Sequence, residues 1–513
     1  MPAADPRRWW ALGALALAML TLGFDMTILN VALATISREL DAGTSELQWI
    51  VDSYVLVFAA LLLPTGLLGD RFGRKRMLLL GLAVFGAASV GGALADTPAG
   101  VIAARVAMGL GAAVMLPLSM SILPTIFSSE ERTRAIAVWT GSMALGLPLG
   151  PLLGGWLLEH FRWGSIFVIN VPVVVVAMAA IALLVPESRD PARPALDLPG
   201  ALLSITGLAA LVYGVIEGPV SGWDHPGVLI ALAAGAVLLA NLVVWESRAP
   251  QPMMNLALFR DRRFVWSAAV TAAANLMMAG ILFVLPQYLQ VVLGNDAFGT
   301  GLRLIPMLLG LMVGAVLTDR LAARTGHKPI MVAGMAVLGT GFALGALTGA
   351  TGGYSYAALW LTVLGAGLGL TMVPAMDLVI SLLPGGEVGR DSGLVQTLRQ
   401  TGSALGIAML GSLLSQLYRA RVETDGLPGE AAGAARDSVA GAAAVAQRLG
   451  DDALLASARE AFVFGMNGLL AACAGVTAVM AVPVLAFLPG RRADRDAAAS
   501  GDGRQSSHAH AAD

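Results

Sequence analysis

Charge is scarce in this sequence. Only 13% of its 513 residues are Asp, Glu, Lys or Arg, while 57% are hydrophobic, and soluble domains run near 25% charged. Together with a mean hydropathy of +0.76, this identifies an integral membrane protein. A basic excess is missing as well. The formal net charge is -2 and no Lys/Arg-rich arm runs along the chain, so nucleic acid is not an expected partner. A single cysteine, Cys473, lies in an apolar run; an intramolecular disulfide is impossible and a thiol mechanism lacks its second group. There is no Gly-x-x-x-x-Gly-Lys-Ser/Thr phosphate cradle, and Gly365-x-Gly367-x-Gly369 and Gly339-x-Gly341 fall inside apolar segments with no strand before them. An enzyme therefore finds no support, and no cofactor is expected. Nor does the start read as a signal peptide. Arg7-Arg8 precedes an apolar stretch too long for an h-region, and a second such stretch follows in place of a cleavage site.

What the chain has instead is apolar segments long enough to cross about 30 Å of hydrocarbon. They fall at about 12–34, 47–69, 77–95, 99–126, 135–158, 164–185, 199–217, 227–245, 264–291, 299–319, 329–349, 355–383, 391–418 and 461–488. Lys and Arg check the count, because cytoplasmic loops collect them. With the N-terminus inside, the inner loops hold Arg71, Arg74, Lys75, Arg76, Arg132, Arg134, Arg260, Arg262, Arg263, Arg320, Arg324 and Lys328, whereas the short outer loops hold Arg38, Arg162 and Arg303. Both termini are expected in the cytoplasm. The polar turn from Glu217 through Trp223 to Gly227 keeps segments 199–217 and 227–245 apart.

The expected architecture is an all-α integral membrane protein of 14 transmembrane helices arranged 6 + 2 + 6. A first six-helix bundle covers 1–185 and two additional linker helices cover 186–263. A second six-helix bundle covers 264–490, with a long external loop at 419–460 holding short amphipathic helical pieces, and a disordered cytoplasmic tail covers 491–513. His508 and His510 in that tail fall short of a metal-ligand set. An internal echo supports two halves. Gly66-x-x-x-Asp70-Arg71-x-Gly73-Arg74-Lys75 follows the second segment, and Gly314-x-x-x-x-Asp319-Arg320 with Gly326-His327-Lys328 follows the tenth. Repeated halves with a site between them at the midplane are a transporter architecture.

One residue asks for a function. From Trp9 to Ile36 the only formal charge is Asp25. A carboxylate there is costly unless it faces protein or a water-filled cavity, so it marks a candidate site. The other ionisable groups within segments are Asp52, Arg105, Glu217, Asp377 and Arg399. Arg105 is central in its segment and is expected to pair with a carboxylate of the first or second helix. Glu217 and Arg399 lie nearer segment ends, where snorkelling accounts for them. In the fifth segment Gly146, Gly150 and Gly154 recur every four residues, giving one helix face that lets a neighbour approach closely, and Pro151 bends the helix.

These motifs carry a resemblance. Gly66-Leu-Leu-Gly-Asp70-Arg71-Phe-Gly73-Arg74-Lys75-Arg76 looks like the signature loop of the major facilitator superfamily, and Gly146-Leu-Pro-Leu-Gly150-Pro151-Leu-Leu-Gly154-Gly155 looks like the motif of its drug:proton antiporters. Leu22-x-x-Asp25-x-Thr27-x-x-Asn30-Val-Ala-Leu33 resembles the first-helix motif of the fourteen-helix branch. Gln48-Trp49-Ile-Val-Asp52-x-Tyr54, Trp163-Gly-Ser-x-Phe167-x-Ile-Asn170-Val-Pro172 and Pro374-Ala-Met-Asp377 are similar to stretches of the quaternary-ammonium multidrug exporters. Ala34 and Met108 depart from the family pattern; the second blurs any proton-relay role for the fourth helix.

The resemblance implies proton-coupled efflux of hydrophobic, cationic drugs from the bacterial cytoplasmic membrane, with small lipophilic cations, protons and lipids as partners and a monomer as the working unit. Asp25 comes first as the substrate or proton site, then Asp52 and Asp377, with Arg105 and Tyr54 beside them. A carboxyl group held out of water accepts a proton more readily, and a proton and a lipophilic cation then compete for it. Phe24, Met26, Trp49 and Met372 supply apolar and cation–π surface. Gly66, Asp70, Arg71, Gly73 and Arg74 are expected to form a conformational latch whose cations bind carboxylates or lipid phosphates. Gly146, Gly150, Pro151, Gly154 and Gly155 are expected to form an intracellular-side seal. Two other readings stay open: an exporter of one neutral or anionic antibiotic or metabolite, and a membrane receptor or scaffold that moves nothing.

Overall fold

Where an apolar run meets a capping residue, a helix starts. Thr97 accepts a hydrogen bond from the Gly100 amide at 3.2 Å, Asp197 from Gly200 at 3.0 Å and Asp296 from Gly299 at 2.6 Å. Each cap satisfies an amide that the first helical turn leaves without a partner. The computed structural model describes residues 7–189, 197–249, 256–349, 353–382 and 388–488, and holds no strand among them. The tail from Arg491, with His508 and His510, lies outside the described residues.

The first half comprises α1 (Arg7–Leu40), α2 (Thr44–Phe72), α3 (Arg74–Ala93), α4 (Pro98–Ile126), α5 (Ser129–His160), the short α6 (Ser165–Val168) and α7 (Asn170–Leu184). A hairpin of α8 (Leu198–Ser221) and α9 (Pro226–Glu246) follows. The second half comprises α10 (Arg262–Gln287), α11 (Ala297–Thr325), α12 (His327–Gly345), α13 (Tyr354–Ser381), α14 (Val388–Arg419), the short α15 (Gly429–Asp437) and α16 (Val439–Leu449), and α17 (Asp452–Phe487). A π-helical turn, Tyr288–Val292, ends α10.

The packing repeats between the halves. In the first, α1 packs on α5 and α7, and α4 on α2 and α3; in the second, α10 packs on α14 and α17, and α13 on α11 and α12. Between halves, α2 meets α14 and α5 meets α11, a pair of contacts related by the same correspondence. The echo in the sequence is a structural repeat as well. Gly73 (φ 111°) joins α2 to α3 and Gly326 (φ 83°) joins α11 to α12, both in the backbone region that favours glycine. Two residues after each glycine a lysine reaches the end of the last helix of its half. Lys75 Nζ donates to the Ala182 carbonyl at 2.7 Å, and Lys328 Nζ to the Leu485 carbonyl at 2.8 Å. A cation there meets carbonyls that the helix leaves unpaired.

Large apolar side chains face outward, and the apolar interior encloses a few charged and polar groups. Leu183, Ile230 and Val479 are exposed at 84%, 67% and 69%, while Asp25, Asp52, Arg105 and Asn170 are buried. Among the described residues 12 helices are long and apolar enough to cross a membrane by length and composition. The expected 14 is not reached by that measure, since α5 and α14 are not in the set; α5 opens with Ser129, Glu130, Glu131, Arg132 and Arg134, and α14 carries Arg390, Asp391 and Arg399.

The halves close at one end, here called the cap end. Gln290 Nε2 donates across to the Val31 carbonyl at 2.7 Å, and Ser37 shares a hydrogen bond with Ser438 at 3.3 Å. The Thr44 hydroxyl donates to the Asp437 carbonyl. The pair α15 and α16 thus belongs by chain to the second half and rests on α1 and α2 of the first. Beneath it lies a cavity of about 920 Å³ lined by both halves, including Arg38, Glu159, Asp296 and Arg459.

Candidate functional site

Asp25 and Arg105 meet in the first half. Arg105 Nη1 stands 2.9 Å from Asp25 Oδ2, the side chains being 2% and 1% exposed. Asn170, at the start of α7, donates from Nδ2 to Asp25 Oδ1 at 3.1 Å and to Ser89 Oγ at 3.3 Å. Arg105 also donates from Nε to the Ile50 carbonyl at 3.3 Å, and its guanidinium carbon sits 4.0 Å from the centroid of the Tyr54 ring. Helices α1, α2, α3, α4 and α7 thereby converge on one charge pair. Such a pair survives burial only with additional hydrogen bonds and close geometry, and Asn170, the Ile50 carbonyl and the Tyr54 face supply them. Asn170 and Ser89 have no charge to mark them, so sequence reasoning gave them no role.

Asp52 stands apart from this pair. It lies two positions from Tyr54 on α2, about 200° around the helix, so it faces away from Arg105. Gln48, one turn before it, donates to the Ile407 and Ala408 carbonyls of α14, both at 3.2 Å. Leu56, one turn after it, packs in a cluster with Leu208, Val212 and Ile216 of α8 and Ala408 of α14. Asp52 therefore occupies the seam where α2, α8 and α14 meet. It is 0% exposed, and among the described residues neither carboxylate oxygen has a hydrogen-bond partner. An uncompensated buried charge costs several kcal/mol, so a proton or a bound cation is needed to neutralise it.

Asp377 is on α13 in the second half, with an exposed side chain, and α13 packs on α10, α11 and α12. The structure thus unites Asp25, Arg105 and Tyr54, sets Asp52 one helix face away, and places Asp377 in the other half. Of the apolar candidates, Phe24 is buried on α1, while Trp49 is half-buried with its ring 6.2 Å from that of Tyr213 on α8.

The glycine stripe of α5 does what its spacing predicts. A Cβ on Gly146 would lie 2.6 Å from the Phe24 amide nitrogen, one on Gly150 2.7 Å from the Phe24 carbonyl, and one on Gly154 2.7 Å from Ile28. The backbone of α5 touches α1 on both sides of Asp25. Pro151 and Gly155 meet the other half: a Cβ on Gly155 would lie 2.5 Å from Phe298 Cα, and one on Gly301 2.5 Å from the Pro151 carbonyl. The contact joins the cap end of α5 to the first turn of α11.

Comparison with known proteins decides the family. The sequence matches the Major Facilitator Superfamily over residues 15–407. The chain belongs to that superfamily. It is 34% identical to the multidrug efflux pump LfrA of Mycolicibacterium smegmatis, over 90% of this chain and 92% of the relative. It is 31% identical to the methyl viologen resistance protein SmvA of Salmonella typhimurium, over 93% and 97%. The tetracenomycin C resistance and export protein of Streptomyces glaucescens is 32% identical, over 80% and 76%. Among solved structures, a bacterial homolog of the human lysosomal transporter Spinster, inward-facing and unoccupied, superposes with a TM-score of 0.67 at 16% identity, covering 94% of this chain and 98% of the other. Membership makes this protein a membrane transporter and not an enzyme.

Its superfamily signature loop is engaged within the first half. Arg74 Nη1 donates to the Ser121 carbonyl of α4 at 3.1 Å, and the Arg74 amide to the Ser188 carbonyl at 2.9 Å. Glu187, just past α7, accepts from the Lys75 amide at 3.1 Å and lies 3.6 Å from Arg76 Nε. Arg71 is exposed, with its guanidinium 5.7 Å from the Phe72 ring. Arg76 thus has a carboxylate neighbour, and the Arg74 guanidinium holds the Ser121 carbonyl. Gly66 and Asp70 belong to the last turns of α2, with their side-chain surroundings outside the described set.

Proposed function

We propose that this transporter exports hydrophobic, cationic drugs, quaternary ammonium compounds and dyes among them, in exchange for protons. The observation that carries the proposal is Asp52, a buried carboxylate without a hydrogen-bond partner at the seam between the halves. Either a proton or a lipophilic cation neutralises it, and occupation by one excludes the other; that exclusion is antiport. Asp25, first among the sequence candidates, already has Arg105 and Asn170 as partners. Its role is to tie α1, α4 and α7 together, and the exchange passes to Asp52. The proton gradient supplies the drive, with no cofactor.

Relatives named for multidrug efflux and for methyl viologen resistance support the substrate class. On this reading α5 and α14 cross the membrane with the 12 apolar helices, both termini are cytoplasmic, and the closed cap end faces outward. The working unit is a lipid-embedded monomer of the bacterial inner membrane. Relatives named for one antibiotic, such as tetracenomycin C, favour a narrow exporter as the second reading.

Proteoliposomes with an imposed pH gradient test the proposal, with ethidium, a quaternary ammonium compound and a neutral antibiotic as cargo. Gradient-driven movement of the two cations, abolished by Asp52→Asn, is the expected result. Movement of the neutral compound alone would establish the narrow exporter. Absence of any flux would leave a scaffold.

A further inference from the structure

The α8–α9 hairpin lies outside the repeated halves, and its purpose is not explained by the packing that repeats between them. Its α8 covers the seam over Asp52. Below Ile216 that cover is apolar, through Leu208, Val212 and Ile216. One residue further towards the cap end it changes character. Ser45 Oγ on α2 donates to Glu217 Oε1 on α8 at 3.0 Å, and Ser412 Oγ on α14 donates to the Val215 carbonyl at 2.8 Å. Ser415, one turn nearer the cap end on α14, is 4% exposed and its hydroxyl has no hydrogen-bond partner among the described residues.

On α2, Ser45, Gln48 and Asp52 stand at i, i+3 and i+7, one face of the helix, over about 10 Å of rise. Exposure falls along this line. Ser45 and Glu217 are half-buried, Gln48 is 1% exposed, Ser412 3% and Asp52 0%. A helix that only covered a seam would bury apolar side chains throughout, because each polar group withdrawn from water needs a partner. Here a carboxylate stands at the rim of a polar line that ends on an unpartnered carboxylate.

We propose that α8 provides the proton access route from the cap end to Asp52, with Glu217 as its first carboxylate. The inference rests on the reading of Asp52 as the proton site. Water at the cap end gives a proton to the Glu217 carboxylate. The resulting acid passes it to Asp52 through the Ser45 and Ser415 hydroxyls and water admitted when the seam loosens. Glu217 returns to its anion, Asp52 becomes the neutral acid, and one proton has moved inward. The charged groups around this line are distributed so as not to intercept it. Asp25 and Arg105 lie across α2 on its other face, and Arg399 lies on α14 further from the cap end. Arg419 pairs with Asp437 at 2.7 Å, and Glu46 accepts from the Gly43 amide at 3.0 Å.

The test uses the full chain in proteoliposomes with ethidium as the probe. Two rates are measured: movement driven by a pH gradient, and ethidium exchange at equilibrium with no gradient. Glu217→Gln, which keeps an acceptor for Ser45, is expected to slow the driven rate at least ~10-fold and leave exchange unchanged, with Glu217→Asp restoring the driven rate. A wild-type driven rate in Glu217→Gln, alongside its loss in Asp52→Asn, overturns the route while the Asp52 reading stands. Wild-type driven rates in both variants overturn that reading too. An equal fall of exchange and driven rate in Glu217→Gln makes Glu217 a strut between α8 and α2, and also overturns the route.

Discussion

Replacing Arg105 by methionine keeps much of the apolar stem and removes the cation facing Asp25. The pair is 2.9 Å apart with side chains 2% and 1% exposed, so water cannot substitute for either member. Removing one partner of a buried pair costs about 3–5 kcal/mol, because the other charge is stranded. Here the guanidinium also leaves the Tyr54 face at 4.0 Å, a contact worth up to about 2 kcal/mol when desolvated. Asp25→Asn strands the arginine and costs about 3–5 kcal/mol for the same reason. The double variant Asp25→Asn/Arg105→Met strands neither charge, and replacing a whole buried pair is close to neutral. Its cost is therefore expected to lie below that of either single variant. The implied coupling is about 3 kcal/mol or more, beyond the range typical of distant sites. Reversible unfolding of the purified protein in detergent micelles measures all three. Additive costs, with the double variant as unstable as the two singles combined, would refute the claim that this pair holds α1 to α4.

Three further outcomes follow from the same structure. Asp52→Leu is expected to raise stability by about 1–3 kcal/mol in the same unfolding assay, since it removes a buried polar group with no partner, while abolishing gradient-driven transport; a loss of stability would place an unseen partner beside Asp52. Gly150→Leu drives a side chain into Thr27 and the Phe24 carbonyl, so a cost of at least about 1–3 kcal/mol and loss of ethidium flux are expected, read by unfolding and by vesicle assay. Lys328→Met removes two bonds to the end of α17, at 2.8 and 2.9 Å, and is expected to cost about 0.3–1 kcal/mol with the transport rate retained.

How much of this was legible in the sequence depends on the kind of contact involved. The helix that carries Asp25 shows itself by composition, and Arg105 by being a central charge that needs a carboxylate. The halves show in the Gly73 and Gly326 echo, because a backbone turn with positive φ calls for glycine. Tyr54 and Asp52, two positions apart, lie on different faces of α2. Periodicity does not say which face of α2 meets α4 and which meets α14, and that choice separates the compensated carboxylate from the uncompensated one. Glu217 reads as a snorkelling residue near a segment end because its partner, Ser45, is distant in sequence and uncharged. The contact of α5 with α11 is not legible, since a Gly-Pro motif does not say which neighbour comes closest.

The short pair α15 and α16 has a further bearing. It is carried by one half and bonded to the other through Ser37 and Thr44, so separating the halves at this end means lifting it away. A molecule that gripped α16 and the tip of α1 together would hold the transporter shut without ever passing into the membrane. Such an agent would act from the aqueous side.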